Sequence, residues 1–302
     1  MFELWVPITI FAAFCQNVRS ALQKHLKGRL STLGATMVRF SFGFPIALLY
    51  VVFLNQGLGL AWPEPNLTFL AFMILGGLTQ IVATALLVYL FSFRNFAVGT
   101  TYSKTEPIQA AMFSIIILGD APTLGALLAI LVGLAGVVAI SVGRGDVKAT
   151  RLVGSLTDKP ALIGIASGAF FGISAVSYRA ASLSLGGEGF MMQAGYTLAC
   201  VTVFQTVVMA IYLRIREPGQ LTATLKAWRV SALVGLAGIA ASAGWFTAMT
   251  IQNAAYVRAL GQIELVFTFL VSWAFFREKS NPIEVSGILL IIAGILLLLL
   301  VT

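Results

Sequence analysis

Six ionisable side chains stand inside long apolar runs of this 302-residue sequence: Arg19, Arg39, Lys104, Glu106, Arg258 and Glu264. A charge at the centre of a bilayer costs about 2.5–3.5 kcal/mol even on lenient insertion scales, so such groups face a wet cavity or one another. For the two glutamates, two chemistries are open. Unpaired in a low dielectric, either would rest protonated and could trade its proton for a cationic group. Locked to Lys104, Arg39 or Arg258, it would instead tie two helices together. Arg19 is close enough to Lys24 to snorkel toward the interface.

Helical spacing adds neighbours to each acid. Tyr102, Glu106 and Gln109 follow i, i+4, i+7 and share one face, while Lys104 lies about 200° around the helix from Glu106. At a fixed offset of 158 residues the plan recurs: Leu260, Glu264 and Phe267 take the acidic face, and Arg258 and Gln262 fall on Thr100 and Lys104. Pro107 has no N–H, so the carbonyl of Ser103 loses its helical partner beside Glu106. The resulting kink either binds a solute or ion or is a tolerated membrane proline. Asn17, Arg39, Gln80, Trp245 and Asn253 complete the candidates for substrate or proton binding. Gln16, Ser174, Tyr178, Gln193, Tyr196, Thr247 and Tyr256 are weaker ones, because intramembrane amides and hydroxyls often only join helices, at about 0.6 kcal/mol each.

The elements that hold these residues follow from composition. Of the chain, 59% is hydrophobic and 10% charged, and its mean hydropathy is +0.96, whereas soluble domains are about 25% charged. The reading is an all-α integral membrane protein. Spans of about 20 apolar residues divide it into ten transmembrane helices near 3–23, 33–54, 67–93, 96–118, 122–142, 160–182, 189–213, 229–251, 255–276 and 283–301. The first apolar stretch lacks a basic n-region and reads as a retained helix. A hydrophilic stretch, 143–159, separates a first repeat, 1–142, from a second, 160–302. The same offset places Asn95 on Asn253, Ala97 on Ala255, Glu106 on Glu264, Asp120 on Glu278 and Gly136 on Gly294. Five helices per half is an odd number, so the repeats are expected to be inverted, with a site where they meet. Gly164, Gly168 and Gly172 give two overlapping small-xxx-small steps on which another helix can pack closely.

Charge placement sets an expected orientation. Fourteen Lys and Arg residues fall in loops on one side of the membrane, against Arg179 alone on the other. By the positive-inside rule both termini then face away from the cytoplasm. The formal net charge of +8 is spread over short loops, which argues against nucleic acid as a partner. Cys15 and Cys200 are remote from each other, His25 stands alone in a basic loop, and phosphate-loop, dinucleotide, metal and nucleophile-elbow patterns are absent from the sequence. No metal or cofactor is expected beyond a coupling proton or ion, and no enzyme activity. The expected partners are a small-molecule substrate and the lipid bilayer, with the chain a monomer or weak homodimer.

Certain tracts carry a family likeness. Tyr102-Ser-Lys-Thr-Glu-Pro-Ile, running through Leu118-Gly-Asp120 into Leu124-Gly-Ala and Gly133-Leu-Ala-Gly136, resembles the end of an EamA-type repeat of the drug/metabolite transporter superfamily. Phe276-Arg-Glu278, Val285-Ser-Gly-Ile-Leu and Ala293-Gly294 repeat it, and Arg39-Phe40 is similar to the arginine-aromatic pair of the second span in that family. The likeness implies a basket of ten helices around a cavity lined by spans 1, 3, 4, 6, 8 and 9, and alternating access. It implies secondary-active transport, export or exchange, of a metabolite, amino acid, amine or drug-like solute across a bacterial inner membrane. A membrane-embedded enzyme or lipid-handling protein is the alternative. Two features depart from the family pattern. Glu264-Leu265 stands where a proline is common, which argues against a symmetric kink, and residues 55–66 carry no Lys or Arg, unlike the basic loop of many relatives with cytoplasmic termini.

Overall fold

The computed structural model describes residues 3–26, 28–90, 92–93, 96–143, 158–187, 189–274 and 281–302. The linker residues 144–157, the Arg94-Asn95 pair, Lys27 and the Phe276-Arg-Glu278 tract lie outside the described residues. Fourteen α-helices and no strand are found among the described residues. The first half holds α1 (Trp5–Leu26), α2 (Thr32–Ser41), α3 (Phe44–Gln56), α4 (Leu67–Leu90), α5 (Phe96–Ser103), α6 (Glu106–Leu118) and α7 (Leu124–Gly143). The second holds α8 (Lys159–Ser184), α9 (Phe190–Arg216), α10 (Gln220–Lys226), α11 (Trp228–Ile251), α12 (Ala254–Leu260), α13 (Ile263–Ala274) and α14 (Pro282–Val301).

Among the described residues, seven stretches are long and apolar enough to cross a membrane: Thr32–Gln56, α4, α7, α8, α9, α11 and α14. Three of the spans expected as single helices are interrupted. The second is cut at Phe42 and Gly43, the fourth at Lys104 and Thr105, the ninth at Gly261 and Gln262. In each case the chain tightens before it restarts. Gly43 N–H donates to Phe40, Lys104 N–H to Thr101, Thr105 N–H to Tyr102 and Gln262 N–H to Ala259, all i→i−3 bonds of 3.1 Å. Prolines at the start of α3 and α6 account for two restarts, since a missing N–H costs nothing in a first turn. The ninth span breaks without proline, so the symmetric interruption that Glu264-Leu265 argued against is present. Gly261 stands at this break, where a Cβ would lie 2.6 Å from the Trp245 ring.

The helices pack in pairs that exchange when the halves are exchanged. α1 lies on α11 and α4 on α8, while α7 lies on α14. α5 and α6 pack on α8, as α12 and α13 pack on α1. Small residues permit the close approaches. A Cβ on Gly136 would meet the Gly287 carbonyl at 2.6 Å, and one on Gly294 the Gly133 nitrogen at 2.8 Å, so α7 and α14 touch backbone to backbone. The Gly164, Gly168 and Gly172 rail of α8 faces Gly99, Ser103 and Ala110, and so bridges the α5–α6 interruption. Large apolar side chains such as Leu49, Phe53, Ile116, Leu289 and Leu300 point outward, where lipid rather than water solvates them.

Candidate functional site

The two interruptions at the ends of α5 and α12 meet in the interior. Glu106 opens α6 and Glu264 lies in the first turn of α13, where the unpaired N–H groups of a helix start favour negative charge. Both are buried, at 8% and 6% exposure. Neither carboxylate is unpaired. Lys104 forms an ion pair with Glu264, and Arg258 Nη2 donates to Glu106 Oε2 at 2.7 Å. The pairs cross: the base of each half holds the acid of the other.

Polar side chains of α1 and α11 close this arrangement into a ring. Gln16 Nε2 donates to Glu264 Oε2 at 3.0 Å, and Trp245 Nε1 donates to Gln16 Oε1 at 3.1 Å. The Arg258 guanidinium lies 4.5 Å from the centroid of the Trp245 ring, a cation–π contact. Asn17 Nδ2 donates to the Glu264 carbonyl at 2.8 Å, and Gln262 Nε2 to the Lys104 carbonyl at 3.4 Å. The ring bounds two narrow adjoining cavities, each with room for about one water, that share Gln16, Glu106, Trp245 and Arg258.

The larger cavity continues past Arg39, Gln80, Ser174, Tyr178 and Ser242 toward a closely packed cleft beside Gln205. Arg39 Nη1 and Nη2 donate to Thr84 Oγ1 and Ser242 Oγ, each at 3.4 Å. Tyr178 donates to Gln80 Oε1 at 3.0 Å, and Gln205 Nε2 reaches the same oxygen at 3.0 Å. Phe171, Phe246 and Met249 supply apolar wall.

Of the residues singled out from sequence, Glu106, Glu264, Lys104, Arg258, Gln262, Arg39, Gln80 and Trp245 line these cavities. Asn17 braces one of them from behind. Gln109 does not line them: the break removes the continuous face it shared with Tyr102, and its Nε2 donates to Thr105 Oγ1 at 3.0 Å and the Ile165 carbonyl at 3.4 Å. Tyr102 sits half-buried on α5, away from the cavity walls. Asn253 is a helix cap, accepting from Ala255 N–H at 2.8 Å and donating to the Asp120 carbonyl at 3.2 Å. Arg19 does not snorkel to the interface. It is 4% exposed, and its Nε and Nη1 have no hydrogen-bond partner. Sequence reasoning missed Ser242, Gln205, Phe171, Phe246 and Met249, whose types are common in any membrane helix.

A second polar cluster ties the halves at the end where α6, α8 and α11 finish. Arg179 pairs with Asp120 at 3.3 Å and donates to the carbonyls of Met249 and Gln252, both at 2.8 Å. Thr123 N–H donates to Tyr256 Oη at 3.0 Å.

Comparison with known proteins places this architecture. No curated protein matches the chain. A solved structure described as "Crystal structure of protein" superposes with a TM-score of 0.70 over 98% of this chain and 96% of its own, at 15% identity, which shows a shared fold. The family model of the EamA-like transporter family matches residues 3–142 and, again, 159–300. With two copies of that repeat and helices that cross a membrane several times, the chain is an integral multi-pass membrane protein and belongs to the EamA-like transporter family of the drug/metabolite transporter superfamily.

Proposed function

We propose that the protein is a secondary-active transporter, an exporter or exchanger, that moves a small solute by alternating access through the cavity between its two repeats. The observation that carries this reading is the crossed pair of salt bridges at two interrupted helices. Non-helical backbone at membrane depth is tolerated where it is enclosed by protein or lines a cavity, and transporters place their sites at such breaks. In this reading α1, α5 with α6, and α12 with α13 join the seven apolar stretches as ten crossings in two inverted sets of five. Each ion pair spans the repeats, so rocking one repeat against the other strains or opens both. Protons then compete with Lys104 and Arg258 for the freed carboxylates.

The test is flux in proteoliposomes, measured across a pH series with equal amounts of each variant. Glu106→Gln and Glu264→Gln are expected to insert and to lose pH-dependent transport, the Glu106 variant more completely. Wild-type rates with an unchanged pH profile in both variants would remove the glutamates from the mechanism.

A further inference from the structure

The charges around the cavity do not balance. Lys104 and Arg258 are satisfied by Glu264 and Glu106, and among the described residues neither Arg19 nor Arg39 has a carboxylate partner. Arg39 is 6% exposed, lines two of the three spaces, makes long contacts to Thr84 and Ser242, and has its guanidinium carbon 5.3 Å from the centroid of the Phe40 ring. The carboxylate that lines the same cavity, Glu106, is already paired with Arg258. Arg19 stands beside Arg39, since a Cβ on Gly238 would lie 3.4 Å from Arg39 Cγ and 3.5 Å from Arg19 Cδ. A buried guanidinium without a counter-charge is a standing cost. An anion arriving in the adjoining space would relieve it.

The neighbouring groups suit such an arrival. Gln80 Oε1 already accepts from Tyr178 and Gln205, so the amide N–H₂ of Gln80 is left for the cavity that this residue lines. The Ser242 hydroxyl accepts from the guanidinium and keeps its own proton to donate, and guanidinium forks match planar or tetrahedral oxyanions. Phe171, Phe246 and Met249 face the same space and suit an apolar body. Both carboxylates that a solute amine would need are occupied.

We infer that the solute carries an acidic group, a carboxylate or phosphate, that docks on Arg39 and Gln80 with its apolar body against Phe171, Phe246 and Met249. This rests on the transport reading for the role of the cavity, but binding and flux can be measured apart. Four probes with one aromatic body serve: phenylacetate, phenyl phosphate, phenylacetamide and phenethylammonium, scored by thermal unfolding of the purified protein in micelles. A ligand of the native state raises the midpoint by mass action.

Phenylacetate, phenyl phosphate or both are expected to stabilise the protein, and the response of the two identifies the acid. The neutral amide and the amine are expected to do so at least tenfold more weakly. Arg39→Gln should abolish the anion response, and Arg39→Lys should retain part of it. If Arg39→Gln does not fold, Gln80→Leu with Arg39→Lys is the measured pair, each expected to weaken the anion. No response to either anion, a stronger response to the amine, or an anion response untouched by these substitutions overturns the site. Arg39-dependent anion binding without flux in proteoliposomes would instead remove the transport reading. Flux of the amine with no anion binding would remove the site and leave transport standing.

Discussion

At the scale of single residues, the intramembrane charges were legible because so few occur. A chain with 10% charged residues leaves each buried one conspicuous, and six were found. Their pairing was not legible. Lys104 and Glu264 are 160 residues apart and Arg258 and Glu106 are 152 apart, so no helical spacing relates them. Reading along one helix suggested that Lys104 and Glu106 were neighbours on different faces; the fold gives each a partner from the other repeat. The unpaired state that would keep a glutamate protonated is therefore not the one found here. Removing one member of a buried pair costs about 3–5 kcal/mol because the other charge is stranded, whereas removing both is often near neutral. Glu106→Gln and Arg258→Met are each expected to lower stability by about that amount, and the double variant by clearly less. Denaturant unfolding in micelles would show it; additive losses would mean that the pair contributes no coupling.

At the scale of elements, the apolar periods placed the spans near their observed positions, and Pro107 marked one interruption. The matching break at Gly261 was not read from the sequence, and the close packing around it is tertiary. The Trp245 ring occupies the space a side chain would need, and that ring comes from another helix. The α8 glycine rail was read as a packing surface, and its partners turn out to be the interrupted span itself. Gly164 has no room, since a Cβ would collide with the Gly99 carbonyl, which is backbone and cannot rotate away. Gly164→Ala is thus expected to destabilise by about 1–3 kcal/mol, the usual range for overpacking. Gly28→Ala, where the nearest atom would be 3.9 Å away, should leave the unfolding midpoint unchanged. Equal midpoints for the two variants would mean that α8 and α5 can separate freely.

At the scale of the whole molecule, the repeat was visible from glutamates in register, and the reciprocal pairing of helices gives it a physical form. The cluster of Arg179, Asp120, Asn253, Thr123 and Tyr256 closes the end at which α6 and α8 terminate. With ten crossings that end is also the end of both termini, so fixing the position of one terminus decides which side the cluster seals. The sequence assigns fourteen loop Lys and Arg residues to the opposite side, and loop charges of that sign are retained in the cytoplasm. By that rule the cluster is expected at the outer face. A cysteine added after Thr302, in a chain whose free Cys15 and Cys200 are replaced by serine, should react with a membrane-impermeant thiol reagent in intact cells. The two replacements matter because both native thiols are only partly buried and would blur the reading. Labelling that appears only after lysis would put the termini and the Arg179 cluster on the cytoplasmic side. The basic loops would then face outward, and some constraint other than loop charge would have to set the topology.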